Sequence, residues 1–200
     1  ELPTLAGNSQ LTASMLGDLN TDGYDDFAVI HASANEPQGE LIHRYSFNDG
    51  TATDRVGAAD GILRNGAGVA FDVLQLDGVD DFVNLGSASE LGESITSLDS
   101  VTLEIWAAWE STNTSEGIFA VSDHYNQGFN EHIELTRTDA DSVWLSVKLN
   151  NDDEIVLEAD VPASGNDSFN HIVSIVASDE VALYVNGTLK DFKVADIDLQ

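Results

Sequence analysis

Residues 18–26 read Asp18-Leu19-Asn20-Thr21-Asp22-Gly23-Tyr24-Asp25-Asp26, which sets oxygen-bearing side chains at loop positions 1, 3, 5 and 9 and a glycine at position 6. Calcium takes about 6–8 oxygen ligands, and a tight loop supplies them from alternate residues. Asp18, Asn20, Asp22 and Asp26 are therefore candidate ligands, the Tyr24 backbone carbonyl would add the position-7 oxygen, and Gly23 permits the sharp turn. Asp25, at an even position, would point away. No bidentate glutamate closes the loop as in an EF-hand, and the flanks 11–16 and 27–30 read as strands rather than helices. The competing reading is a solvated, Asp-rich turn with no metal affinity. A calcium ion held entirely by such local ligands would be structural.

Other constellations that carry chemistry are missing from the sequence. There is no Glu-x-Asp-x-x-Glu run of the kind glucanases carry on one strand face, no Gly-x-Ser-x-Gly elbow and no phosphate loop. Glu104 and Glu110 flank an apolar strand, and Asp152-Asp153-Glu154 reads as a hairpin tip. The five histidines, His31, His43, His124, His132 and His171, show no metal-ligand spacing, and His171 reads as a core or strand residue. With no cysteine, thiolate metal sites, disulfides and Cys nucleophiles are excluded. The expectation is a protein that is not an enzyme.

Charge narrows the partners. The 200 residues hold 36 acidic and 7 basic side chains, a formal net charge of −29. Such a chain repels a phosphate backbone, so nucleic acid is excluded as a partner, and an anionic membrane surface is disfavoured. No apolar run approaches the ~20 residues of a membrane helix, so membrane insertion is not expected either. Of the acids 23 are Asp, a poor helix former whose short carboxylate suits turns and hard cations. Most of them must form a solvated, self-repelling surface suited to salty surroundings. The hydrophobic fraction of 42% is nevertheless enough for a real core.

The elements are short alternating runs broken by turns. Val101, Leu103, Ile105, Ala107 and Trp109 share one strand face against Thr102, Glu104 and Trp106; Val143, Leu145, Val147 and Leu149 repeat the pattern, as do Ile155, Leu157, Ala159 and Val161. Residues 171–177 are apolar on both faces, and Val181, Leu183 and Val185 end at Asn186-Gly187, a hairpin turn signal. No sustained 3.6-residue stripe occurs. The fold class is all-β, a two-sheet antiparallel sandwich. A linker-like seam at 34–40 divides residues 1–36 from a sandwich over 41–200.

Leu11 to Ile30 resembles the FG-GAP repeat, the calcium-binding unit of integrin-type propellers, which implies Ca²⁺ at Asp18, Asn20, Asp22 and Asp26. Over 41–190, the phrases Tyr45-Ser46-Phe47, Leu76-Asp77-Gly78-Val79-Asp80-Asp81-Phe82-Val83, Thr102-Leu103-Glu104-Ile105-Trp106, His171-Ile172-Val173 and Leu183-Tyr184-Val185-Asn186-Gly187 resemble, in order, laminin-G-like and concanavalin A-like jelly rolls. Phe169 stands where those domains usually have Trp. The resemblance implies a lectin-like jelly roll, ions or turns at Asp80 and Asp81, and ligand contacts from rim loops, for which Asp123, Tyr125 and Asn126 and then Asn151 and Asp153 have the composition. Such modules continue past this last phrase to a closing strand, so residues 1–36 are expected to pack on the sandwich or complete it in a permuted or split arrangement. The expected function is a non-catalytic, calcium-stabilised module binding a glycan or surface protein, beside neighbouring domains of a large secreted or surface bacterial adhesin. A structural spacer and a carbohydrate-active enzyme domain are the alternatives.

Overall fold

The computed structural model describes residues 9–17, 26–33, 40–86, 100–109, 116–122, 132–139, 141–148, 154–161 and 169–195, the first two stretches by their backbone pairing. In chain order the strands are β1 (Ser9–Gly17), β2 (Asp26–Ser33), β3 (Ile62–Arg64), β4 (Gly68–Ala70), β5 (Val73–Gln75), β6 (Phe82–Asn84), β7 (Ser100–Ala107), β8 (Glu116–Ser122), β9 (His132–Asp139), β10 (Ser142–Lys148), β11 (Ile155–Asp160), β12 (Asn170–Ala177), β13 (Glu180–Val185) and β14 (Thr188–Val194). No helix occurs among the described residues.

Two four-stranded antiparallel sheets, ordered β14-β13-β12-β7 and β11-β10-β9-β8, form the layers of the sandwich. The alternation that defines the strands also fills the space between them. Ile133, Leu135, Val143, Leu145, Val147 and Leu157 from one sheet meet Ile172, Val176, Val181, Leu183 and Val185 from the other in one buried cluster. Leu145, Leu157, Ile172 and Leu183 are fully buried, each worth ~1.5–3 kcal/mol relative to exposure. β12 is buried along its whole length because it lies inside its sheet and carries a second small cluster, Val173, Ile175 and Ala182, on its outward side.

One inward position is a charge. Arg137 continues the Ile133, Leu135 series of β9 and is only 1% exposed. Its guanidinium donates to Glu116 at 2.7 Å and lies 5.3 Å from the centre of the Trp109 ring. The ion pair and the aromatic face replace the water that a buried charge gives up.

The Asn186-Gly187 turn forms as its sequence implies. Both residues have positive φ, 51° and 74°, and Val185 pairs with Thr188 across them. Glycine suits the second position because a side chain there would strain the left-handed backbone. The chain then runs directly into β14, which pairs with β13. A strand after the last family phrase is thus supplied by residues 188–194. β1 and β2 pair with each other in a two-stranded sheet of their own, Gly17 opposite Asp26. Both flanks of the 18–26 loop are strands.

β11 and β14 are edge strands of opposite sheets, and β14 lies against β11. Asp191 accepts from the Glu158 backbone N–H at 3.3 Å, and Lys193 donates to the Val156 carbonyl at 3.0 Å. Side chains of β14 therefore occupy backbone groups that an exposed edge would offer to another chain. Replacing both Asp191 and Lys193 with alanine is expected to promote self-association, measured by light scattering during storage at high concentration. A double variant that stays as monodisperse as the parent would contradict this role.

Ahead of the sandwich strands, residues 40–61 are gathered around the Asp54 carboxylate, with Asp49 and Asp60 accepting further hydrogen bonds at 2.7 Å from the Thr51 hydroxyl and at 3.0 Å from the Asp54 N–H. Asp54 is fully buried and contacts His43 Nδ1 at 2.6 Å. It also accepts from the backbone N–H groups of Arg44, Val56, Gly57 and Ala59. Burial alone would raise its pKa, but the His43 contact and these backbone donors outweigh it and hold the carboxyl well below the usual carboxylate range. Tyr45 donates its hydroxyl to the Ala59 carbonyl at 2.7 Å. Burial, with the nearby Asp54 and Asp60 charges, pushes the Tyr45 phenol up to about 12.

Candidate functional site

Strand alternation sends every second residue of β9 and β10 away from the core. His132, Glu134, Thr136 and Thr138 face outward from β9, while Trp144, Ser146 and Lys148 do so from β10. With Glu154, just before β11, they line an open depression of about 460 Å³ on the outer surface of the β11-β10-β9-β8 sheet. Trp144 is 43% exposed there, the one large apolar ring among the described lining residues. The register sets it between Thr136 on β9 and Glu158 on β11.

The polar groups around the ring are held by one another. Ser146 Oγ donates to Glu154 Oε1 at 2.6 Å, so its oxygen accepts from His132 Nε2 at 2.8 Å, which places a proton on Nε2. Thr136 donates to Glu134 Oε1 at 2.8 Å, and Thr138 and Ser142 share a hydrogen bond of 2.8 Å. Glu134 and Glu154 each keep a second carboxylate oxygen. A flat apolar ring set among fixed acceptors and donors suits a ligand with one apolar face and a hydroxylated edge, the chemistry of a pyranose.

Both loops singled out in the sequence leave from one end of this sheet. Ser122 at the end of β8 and Lys148 at the end of β10 both pair with His132, and Val147 pairs with Ile155 at the start of β11. The β8–β9 and β10–β11 connections therefore spring from neighbouring strand ends beside the depression. Asp123, Tyr125, Asn126, Asn151 and Asp153 themselves lie outside the described residues. So do Asp18, Asn20, Asp22 and Tyr24, while Asp26 opens β2 opposite Gly17.

Asp80 and Asp81 lie in the turn before β6 and are joined by Asp77. One ligand oxygen from each of the three falls within 4.8 Å of the others. Asp77 Oδ1 accepts from the Val79 and Asp80 N–H groups at 2.8 and 3.3 Å, and Asp81 Oδ2 accepts from the Asp77 N–H at 3.1 Å. The Val79 N–H, then that of Asp80, holds the Asp77 carboxyl below its ordinary range. Gly66 leaves room for Asp81: a Cβ there would come within 2.8 Å of Asp81 Oδ1. Hard carboxylate oxygens fit calcium; bound through one oxygen each, the three would supply half or fewer of its ~6–8 ligands, and water or backbone carbonyls would provide the rest.

The opposite sheet carries a different group. Glu104 and Trp106, outward on β7, meet His171 on β12, whose Nε2 lies 2.8 Å from Glu104 Oε1. The Trp106 ring stacks on the imidazole with 4.5 Å between centroids and is 58% exposed. His171 is thus a buried strand residue, as its place in the sequence suggested.

Sequence reading missed Trp144 and its neighbours because over 143–149 and 155–161 it followed only the apolar face of the strand. The signal was available: Trp144-x-Ser146-x-Lys148 puts an aromatic ring on an otherwise polar face.

Fold and surface together define a two-sheet antiparallel jelly-roll sandwich with an open, aromatic-bearing sheet face. A family model described as the concanavalin A-like lectin/glucanases superfamily (Laminin_G_3) matches residues 77–196. The chain belongs to that superfamily. Among solved structures it is similar to the Ruminococcus gnavus IT-sialidase CBM40 bound to α2,3-sialyllactose, with 17% identity and a TM-score of 0.44 over 52% of this chain and 57% of that one. The same module bound to α2,6-sialyllactose gives 16% and 0.45 over 51% and 58%. An S-layer domain-containing protein from Clostridium thermocellum gives 19% and 0.46 over 78% and 74%. The match thus spans less than two-thirds of the two sialidase modules. No curated protein matches the sequence.

Proposed function

We propose that the chain is a non-catalytic, calcium-stabilised glycan-binding module of a secreted or surface-attached adhesin. The observation that carries this reading is Trp144, half exposed in a depression otherwise lined by hydroxyl, carboxylate, imidazole and ammonium groups. Superfamily membership supports it. The ligand would stack on Trp144, hydrogen-bond to Glu134, Glu154 and His132, and reach the β8–β9 and β10–β11 loops, with Asp123, Tyr125, Asn126, Asn151 and Asp153 as further contacts. A glycan array in calcium, repeated with the Trp144→Ala variant, tests it: binding that disappears with the ring supports the reading. Absence of any glycan hit would leave the structural-spacer reading in its place.

Glu134 and Glu154 line one depression, which is the observation favouring the rival, a glycoside hydrolase working through paired carboxylates. Release of reducing ends from soluble β-glucans, lost in Glu134→Gln, would establish that rival.

Calcium would sit in the 18–26 loop, through Asp18, Asn20, Asp22, the Tyr24 carbonyl and Asp26, and at the Asp77, Asp80, Asp81 turn. In this proposal residues 1–36 form an FG-GAP-like segment packed on the 41–200 sandwich. Calcium in about hundredfold excess over its Kd is expected to raise the melting midpoint by roughly 5–10 °C relative to EDTA. Asp22→Ala and Asp81→Asn should each remove part of that rise. A midpoint indifferent to calcium in all three proteins would eliminate the metal.

A further inference from the structure

We propose that the β11-β10-β9-β8 face selects uncharged glycans and rejects those bearing carboxylate or sulfate groups; this rests on the glycan reading of the same face. The charges around Trp144 carry the inference. Glu134 and Glu154 line the depression against one ammonium, Lys148. On β11, the exposed Glu158 and Asp160 pair with Trp144 and Ser142 and extend the acidic border.

A buried or half-buried carboxylate is best received by the planar fork of an arginine. Among the described residues no arginine lines the depression. Arg137, on β9 itself, points into the core and is engaged by Glu116 and the Trp109 ring. The carboxylates that are present act as acceptors. With Oε1 of Glu134 and of Glu154 already taking the Thr136 and Ser146 hydroxyls, the second oxygen of each is the natural partner of a sugar hydroxyl. A neutral pyranose satisfies those acceptors, whereas an anionic sugar brings like charge against them. The net charge of −29 raises the same barrier to approach.

An array of neutral, sialylated, uronic and sulfated glycans, probed at low and high salt, tests this with the intact chain. Calorimetry then compares the best neutral glycan with its sialylated or sulfated counterpart. The neutral compound is expected to bind about tenfold more tightly at low salt, with the gap falling to about threefold at high salt. Glu134→Gln with Glu154→Gln, both on the surface, should narrow the low-salt gap by a similar factor. Hits confined to anionic glycans and lost in Trp144→Ala would overturn the selectivity while leaving the glycan reading intact. A preference for the neutral compound that ignores both salt and the double substitution would assign it to shape and likewise overturn the proposal. No hits of any class would overturn the glycan reading itself.

Discussion

Trp144→Ala is expected to weaken glycan binding by about 30-fold or more, the loss of ~2 kcal/mol that marks an aromatic hot spot. The ring is the largest apolar surface the depression offers, and covering part of it with a pyranose removes that area from water at ~25 cal/mol per Å². Alanine leaves the hydroxyls and carboxylates in place but removes the plane they surround. Because Trp144 is already 43% exposed and projects away from the core, the fold should survive. The melting midpoint should stay within a few degrees of the parent, a comparison that separates lost binding from lost structure. Trp144→Phe should recover much of the affinity. Trp106→Ala, on the opposite sheet, should leave binding unchanged. The reverse pattern, with Trp106 essential and Trp144 dispensable, would move the site to the other layer.

The largest effect on stability is expected from Asp54→Ala, about 3–5 kcal/mol, a large share of what holds a domain together. One buried carboxylate there serves His43 and four backbone N–H groups. Alanine leaves all of them without that acceptor. Asp54→Asn should be nearly as damaging, since its amide turns a donor toward donors. Acid adds a second readout. The Asp54 carboxyl lies below its unfolded value in the native state, so its contribution is fully present above an unfolded pKa of ~3.9 and is lost as pH falls toward the folded value. Denaturant unfolding of the wild type between pH 5 and 2 should therefore show a steeper loss of stability than that of Asp54→Ala. Parallel curves would show that this carboxylate does not govern acid sensitivity.

The strands whose outward and inward faces differ sharply were legible in the sequence. Val101 to Ala107 alternates in burial as it alternates in polarity, and the doubly apolar run 171–177 is the buried strand inside its sheet. β9 was hidden because Arg137 occupies a core position, and hydropathy does not distinguish a paired inward charge from a turn. β14 was missed for a different reason. Thr188-Leu189-Lys190-Asp191-Phe192-Lys193-Val194 is an edge strand whose charges serve the neighbouring β11, so no apolar rhythm marks it. The three-residue strands β3 to β6 are too short for a period to register.

The candidate site was less legible than the fold. Glu134, Ser146, Glu154 and His132 belong to three different segments, and only the antiparallel register brings them to one face. Composition drew attention instead to the loops at 123–127 and 150–153, which turn out to leave from the same end of that sheet. Asp80 and Asp81 could be read from their phrase, whereas Asp77 joins them through the turn that its own side chain holds with Val79 and Asp80.

The chain has three tryptophans, Trp106, Trp109 and Trp144, so three indole N–H resonances report on three separate places. With ¹⁵N-labelled indoles, titration with the neutral oligosaccharide that leads the array is expected to shift the Trp144 resonance and leave those of Trp106 and Trp109 in place. A saturable shift at Trp106 with Trp144 unmoved, or binding that perturbs none of the three, would contradict a ligand seated on the outer face of the β11-β10-β9-β8 sheet.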